Sequence, residues 1–122
     1  MKTFLLAFLA FAFLSSPIMA KDKVLRHVVS FKFKEDASDC QIQEVEKAFA
    51  ALKDKIPGIL SLDWGKNNSP EGLNKGFTHC FIVTFKDEKA REVYLPHPDH
   101  KAFVSILKPI LADVYVIDFW TQ

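Results

Sequence analysis

The pattern of apolar and polar positions divides residues 24–120 into strands and helices. Alternating positions or short apolar runs indicate strands, and apolar positions three and four residues apart indicate helices. The predicted strands are Val24–Phe33, Ile59–Gly65, Phe77–Asp87 and Val114–Trp120. The predicted helices begin at a capping box of Ser38 and Gln41, at Asp87 and at Asp99, and they end near Pro57, Pro96 and Pro109.

The order of these elements indicates a fold class. The chain runs β, α, β, β, α in two pieces, β, which is the split βαβ or ferredoxin-like arrangement. We therefore predict an α+β domain with an antiparallel sheet and helices on one face. The strand at 77–87 carries Phe81 and Phe85 on one face and Ile82 and Thr84 on the other, so both faces can be covered. Because the helices cover one face, we expect a second copy to cover the other, giving a homodimer and a dimeric α/β barrel.

The first twenty residues have the layout of a cleavable secretory signal. A short segment with one lysine precedes the uncharged run Phe4–Leu14, and the small-residue segment Ser15–Ala20 follows. A membrane-spanning helix needs about 20 apolar residues, so this run is too short to span. We predict cleavage near Ala20, export to a periplasm or to the outside, and one mature domain over residues 21–122. A buried N-terminal helix and an uncleaved anchor are the alternatives.

The charge balance excludes two classes of partner. Sixteen basic side chains, less Lys2 after cleavage, match 15 acidic ones, and no basic block occurs along the chain. A net charge near zero argues against nucleic acid and against electrostatic attachment to a membrane.

The segment YLPHPDH, residues 94–100, concentrates groups that can move protons. Tyr94 and His100 flank a stretch that two prolines hold rigid. An imidazole shuttles protons near pH 7, and a tyrosine hydroxyl can steady a developing oxyanion. The alternative is that His97 or His100 bonds nearby backbone and fixes a turn. The spacing of His97 and His100 is by itself a weak indication of a metal site, and no further ligand motif accompanies it. We therefore predict no bound metal.

The remaining histidines lie on two predicted strands. His27 opens the first strand and His79 lies among phenylalanines of the third. If these strands pair, both imidazoles and those of His97 and His100 could converge on one cavity. Phenylalanines such as Phe49, Phe81 and Phe103 are mainly expected in the core, although side chains of this kind also line pockets for small apolar or aromatic molecules.

Several motifs occur in a fixed order: HVVSFKFK (27–34), KIPGILSLDWGKNNSPEGLNKGFTHCFIVTFKD (55–87), YLPHPDHKAFV (94–104) and VIDF (116–119). From residue 24 to about residue 120 the chain resembles the stress-responsive A/B barrel (Dabb) domain family. The resemblance implies ferredoxin-like subunits joined sheet to sheet.

One plant branch of this family includes a polyketide cyclase that works by aldol condensation without metal or organic cofactor. The resemblance places its catalytic tyrosine and histidine on Tyr94 and His100, and two further histidines on His79 and His27. Pro96 replaces an aliphatic residue of that motif. The residues and the resemblance leave two hypotheses: an exported homodimer that binds a small apolar or aromatic molecule without catalysis, or a cofactor-independent cyclase or lyase. In the second, His100 is the general base and Tyr94 stabilises the oxyanion.

Overall fold

The computed structural model describes residue 3 and residues 22–122; apart from residue 3, the predicted signal sequence (1–20) lies outside the described residues. The elements are β1 Leu25–Phe33, α1 Asp39–Lys55, β2 Ile59–Lys66, β3 His79–Phe85, α2 Glu88–Tyr94, α3 Pro98–Leu107, a 3₁₀ turn Lys108–Ile110 and β4 Leu111–Trp120. Within residues 22–122, no helix is long and apolar enough to cross a membrane.

The four strands form one antiparallel sheet in the order β2-β3-β1-β4. This order and the placement of the helices confirm the predicted ferredoxin-like α+β fold. The register decides which side chains can meet, because residues opposite one another on paired strands share a face of the sheet. His27 lies opposite Val83 on β3 and opposite Asp118 on β4. His79 lies opposite Phe31, four residues further along β1.

Polar side chains cap the N-termini of α1 and α3 by accepting hydrogen bonds from backbone N–H groups of the first turn. At α1 the predicted capping box is present: Ser38 Oγ accepts from the Gln41 backbone N–H at 3.2 Å, and Gln41 Oε1 accepts from the Ser38 N–H at 2.9 Å. At α3 the prediction that Asp99 caps the helix is wrong. His97 is the N-cap, and its Nδ1 accepts from the Asp99 N–H at 3.1 Å. Pro98 takes the first helical position, where its fixed φ and missing N–H cost nothing.

Aromatic rings form the centre of the core between the sheet and the helices. Phe49 of α1 stacks nearly parallel on Phe81 of β3 with ring centroids 4.2 Å apart, and it contacts Phe103 of α3 at 4.5 Å. Phe31 of β1 lies against all three rings. All four side chains are buried. This packing ties both long helices to the middle of the sheet.

The other face of the sheet is uncovered in the single chain. On β4 the side chains of Tyr115, Ile117 and Phe119 point away from the helices and are 54%, 46% and 48% exposed. Contiguous apolar surface of this kind is typical of an interaction site. The prediction that this face needs a partner therefore agrees with the pattern of exposure.

Candidate functional site

A cavity of about 710 Å³ lies between the β1–β4 side of the sheet and the corner formed by α2 and α3. Its polar wall is formed by His27, Tyr94, His100 and Asp118, and its apolar wall includes Phe49 and Phe103. The cavity opens along β4, the edge strand, where Val114 and Val116 remain about half exposed. A volume of this size is typical of sites for small organic molecules.

Tyr94 is the most unusual group of this wall. It is the last residue of α2, its side chain is fully buried, and its hydroxyl has no hydrogen-bond partner among the described residues. Burial raises the pKa of the Tyr94 hydroxyl above its ordinary value, so the group keeps its proton. A buried polar group without a partner costs about 1–3 kcal/mol. The wall of the cavity therefore includes a tyrosine whose buried hydroxyl has no hydrogen-bond partner among the described residues.

His100 stands beside Tyr94, with ring centroids 4.4 Å apart. Its Nδ1 donates to the carbonyl oxygen of Leu95 at 2.9 Å, so the proton of the neutral ring is on Nδ1 and the lone pair is on Nε2. Burial lowers the pKa of His100, and nearby His27 and His97 lower it further, whereas the bond to Leu95 raises it. The ring is therefore held neutral near pH 7, with an acceptor nitrogen.

His27 belongs to a chain of three polar side chains. Its Nδ1 donates to Asp118 Oδ1 at 2.7 Å, and Arg91 donates to Asp118 Oδ2 at 2.7 Å. The His27 ring lies edge-on to that of Tyr94 at 5.8 Å. Sequence reasoning missed Arg91 and Asp118. The available signals were a carboxylate interrupting the apolar strand β4 and an arginine one helical turn before Tyr94.

His79 lies away from this cavity, contrary to the expectation that all four histidines could meet. The four-residue offset between His79 and Val83, the partner of His27, corresponds to about 13 Å along a strand. His79 Nε2 instead donates to Glu46 of α1 at 2.8 Å, and the Thr78 hydroxyl bonds its Nδ1 at 2.8 Å. Both ring nitrogens are occupied, so His79 joins α1 to the sheet.

Two other predicted binding residues also lie outside the cavity. Phe81 is fully buried beneath Phe49 in the aromatic core. His97 uses its ring as the cap of α3, with Asp99 Oδ2 3.8 Å away. The structure thus brings together five of the predicted site residues, His27, Phe49, Tyr94, His100 and Phe103, and separates His79, Phe81 and His97 from them.

A second hollow, also about 710 Å³, lies on the open face of the sheet. It forms where Cys80 lies between Ser30 and Gly65 on neighbouring strands. These residues are small, so the surface is concave at this point. Tyr115 borders it on β4. Because it lies on the face that a second copy would cover, we do not treat it as the ligand site. Within residues 22–122, no group of three or more His, Cys, Asp or Glu side chains could hold a metal ion.

The family assignment rests on comparison with known sequences. Residues 25–121 match the model of the stress responsive A/B barrel domain. The chain is 37% identical over 95 residues to the stress-response A/B barrel domain-containing protein HS1 of Arabidopsis thaliana, covering 78% of this chain and 87% of the relative. The protein therefore belongs to the stress-responsive A/B barrel domain family, as the motifs predicted.

Two further matches are informative about assembly and chemistry. Olivetolic acid cyclase of Cannabis sativa is 26% identical over 95 residues, covering 78% of this chain and 94% of the cyclase. A dimeric ferredoxin-like protein of unknown function from Thermobifida fusca superposes with a TM-score of 0.69 at 25% identity, covering 83% of this chain and 93% of that one. The structural neighbours thus include dimers with the same subunit fold.

Proposed function

We propose that the protein is an exported homodimer that binds one small, uncharged, apolar or aromatic molecule in the cavity beneath α2 and α3. The observation that carries the proposal is the buried, unpartnered hydroxyl of Tyr94. A ligand oxygen that accepts from this hydroxyl would satisfy it, and the ligand body would lie against Phe49 and Phe103.

The charges around the cavity support an uncharged ligand. The Arg91 guanidinium on the wall already donates to Asp118, whose other oxygen accepts a hydrogen bond from the His27 Nδ1–H. His100 is held neutral by burial. Lys108 is exposed and lies directly after α3, at the start of the 3₁₀ turn. A carboxylate ligand would displace an existing ion pair, whereas a ketone, aldehyde or phenol would not.

A cycle of two ligands and two proteins tests the binding proposal. Acetophenone carries a carbonyl oxygen that its near-isostere ethylbenzene lacks, and Tyr94→Phe removes only the hydroxyl. We expect wild type to prefer acetophenone by about fivefold, corresponding to one hydrogen bond of about 1 kcal/mol. The preference should vanish in Tyr94→Phe, with ethylbenzene binding unchanged. Equal affinity of wild type for both ligands, or binding of neither, contradicts the proposal.

Homodimerisation and export are separate parts of the proposal. The exposed apolar face of β4 and the dimeric T. fusca neighbour support a homodimer joined through the open face. The signal-like layout of residues 1–20 supports export. Expression of the full chain with its own N-terminus, followed by mass measurement of the exported protein, tests the second part. The expected product begins at Lys21; retention of the full-length chain in the cytoplasm contradicts it.

A second candidate function is proton transfer at a carbon next to a carbonyl, as in a cofactor-independent cyclase or lyase. Its support is the pairing of one donor, the Tyr94 hydroxyl, with an unprotonated imidazole Nε2 nearby. The name of the C. sativa relative is consistent with such chemistry in the family. The sequence prediction assigns the base to His100 and oxyanion stabilisation to Tyr94.

Deuterium exchange into the methyl group of bound acetophenone measures this activity directly. An acid–base pair contributes about 10²–10⁴ in rate, so wild type should exchange faster than Tyr94→Phe by about that factor. Binding without any exchange above the buffer rate leaves the protein a binding module and contradicts the second candidate.

A further inference from the structure

The two imidazoles that flank Tyr94 differ in what holds their Nδ1 protons. In His100 the acceptor is the neutral carbonyl of Leu95, and in His27 it is the carboxylate of Asp118. Each arrangement leaves Nε2 with the lone pair, since Nδ1 is the donor in both rings. The wall of the cavity therefore has one hydrogen-bond donor, Tyr94, between two acceptors, His27 Nε2 and His100 Nε2. The two acceptors differ in the group that is bonded to Nδ1 of the same ring.

The two rings differ in how well their surroundings stabilise the positive charge that appears when Nε2 takes up a proton. A carboxylate in contact with Nδ1 stabilises an imidazolium, and a charge-assisted hydrogen bond is about twice as strong as a neutral one. His27 has this support at 2.7 Å. His100 lacks it, and burial lowers its pKa, so protonation of that ring is opposed.

Arg91 completes the unit by occupying the second oxygen of Asp118. A carboxylate bonded through both oxygens has a fixed orientation, so the ring it holds is fixed as well. Arg91 and Tyr94 lie three residues apart on α2. The same helix therefore positions the Tyr94 hydroxyl and, through Arg91, the carboxylate of Asp118 that holds His27.

We propose that His27, rather than His100, is the group that takes up a proton from a ligand in this cavity, with Asp118 and Arg91 as positioning residues. The inference rests on the proposed binding function and names its ligand class: uncharged phenols and enols. The ligand O–H bond breaks, an N–H bond forms at His27 Nε2, and the electron pair stays on the ligand oxygen. The Tyr94 hydroxyl donates to that oxyanion.

The probe that reports this step is 4-nitrophenol, because its ionised and neutral forms absorb at different wavelengths. Binding is measured by titration. The ionised fraction of the bound probe is read from its absorption spectrum at a single fixed pH, chosen below the pH at which the free probe is half ionised. Acetophenone, which has no O–H, measures binding alone. Three variants, His27→Gln, Asp118→Asn and His100→Gln, each remove a charge or a base with little change of volume. Two more, Arg91→Ala and Arg91→Lys, test the positioning role of Arg91.

We expect the bound probe to be ionised more than the free probe in wild type. In His27→Gln and Asp118→Asn the ratio of ionised to neutral bound probe should fall at least fivefold. Because this ratio counts bound probe only, it does not depend on whether the affinity also changes, and acetophenone binding reports that change separately. His100→Gln should retain most of the ionisation. Arg91→Ala should lower the ratio and Arg91→Lys should restore part of it, which a merely structural role would not produce.

Asp113→Asn is the matched control, because Asp113 is a carboxylate of the same strand on the open face of the sheet, away from the cavity. It should leave both measurements unchanged. Loss of ionisation in His100→Gln with retention in Asp118→Asn overturns the inference. Binding of 4-nitrophenol in its neutral form only also overturns it and leaves the binding function standing. If neither probe binds, the binding function fails and the inference with it.

Discussion

The unpartnered hydroxyl of Tyr94 makes an unusual prediction: its removal should stabilise the protein. In Tyr94→Phe the ring stays in place against His27, Phe85 and His100, so the packing contacts remain. Only the oxygen, which is buried without a partner among the described residues, is lost. A donor in this state costs about 1–3 kcal/mol, and we take the low end because Tyr94 is one of the residues that line a cavity. We expect a gain of about 1 kcal/mol in the free energy of unfolding.

Urea and thermal unfolding at one protein concentration measure this gain. For a domain of this size a gain of about 1 kcal/mol raises the midpoint temperature by about 4 °C. The control is Tyr115→Phe, since the chain has two tyrosines and Tyr115 lies on the open face, away from the cavity, where it is about half exposed in the single chain. The control should change stability by less than about 0.5 kcal/mol. A loss of about 1 kcal/mol or more in Tyr94→Phe would refute the reasoning, because it would mean that the hydroxyl has a partner in the folded state.

Three further predictions concern other parts of the molecule. Glu46→Gln should lower the free energy of unfolding by about 1–2 kcal/mol, because a buried charge-assisted bond to His79 becomes a neutral one, whereas the exposed Glu44→Gln on the same helix should not. Ile117→Asp should convert the proposed homodimer to monomers in light scattering, because it places a charge in the apolar face. Stability should fall as pH drops below about 6.5, since the unfolded chain binds the His100 proton more readily than the folded one, and His100→Gln should flatten that slope in urea midpoints.

Each of these has a contrary outcome. An unchanged midpoint in Glu46→Gln would show that the pair with His79 adds nothing to stability. A dimer that survives Ile117→Asp would place the interface elsewhere. For His100 the sign is fixed by the lowered pKa: the neutral ring is favoured in the folded state, so stability is complete above the unfolded value and is lost as pH falls. A slope that persists unchanged in His100→Gln would assign it to other groups.

The fold could be read from the sequence because its signals are local. Alternation along β1 and β3, the capping box at Ser38 and the stop at Pro57-Gly58 each involve only neighbouring residues. The predicted N-cap of α3, Asp99, lies two residues after the observed one, His97. A histidine side chain can accept a hydrogen bond from a backbone N–H as an aspartate does, and Pro98 occupies the first helical position.

The site was only partly readable, because it depends on strand register. His27 and His79 both face the helices, but the antiparallel pairing of β1 with β3 sets them four residues apart along the strands. That offset is fixed by the length and path of the connections and cannot be read from spacing. Asp118 becomes part of the site because β4 pairs with β1 at His27, a contact between residues 91 positions apart. Tyr94 and His100 were found because one rigid segment holds both.

The most direct test of the central claim is the NMR signal of the Tyr94 ring carbon that bears the hydroxyl, in protein labelled at that carbon. The chain has two tyrosines, so the spectrum has two resonances, and that of Tyr115 is an internal control. We predict that acetophenone shifts the Tyr94 resonance, that ethylbenzene shifts it much less, and that neither moves Tyr115. If acetophenone and ethylbenzene shift Tyr94 equally, or if only Tyr115 responds, the cavity does not use its free hydroxyl to bind a ligand oxygen.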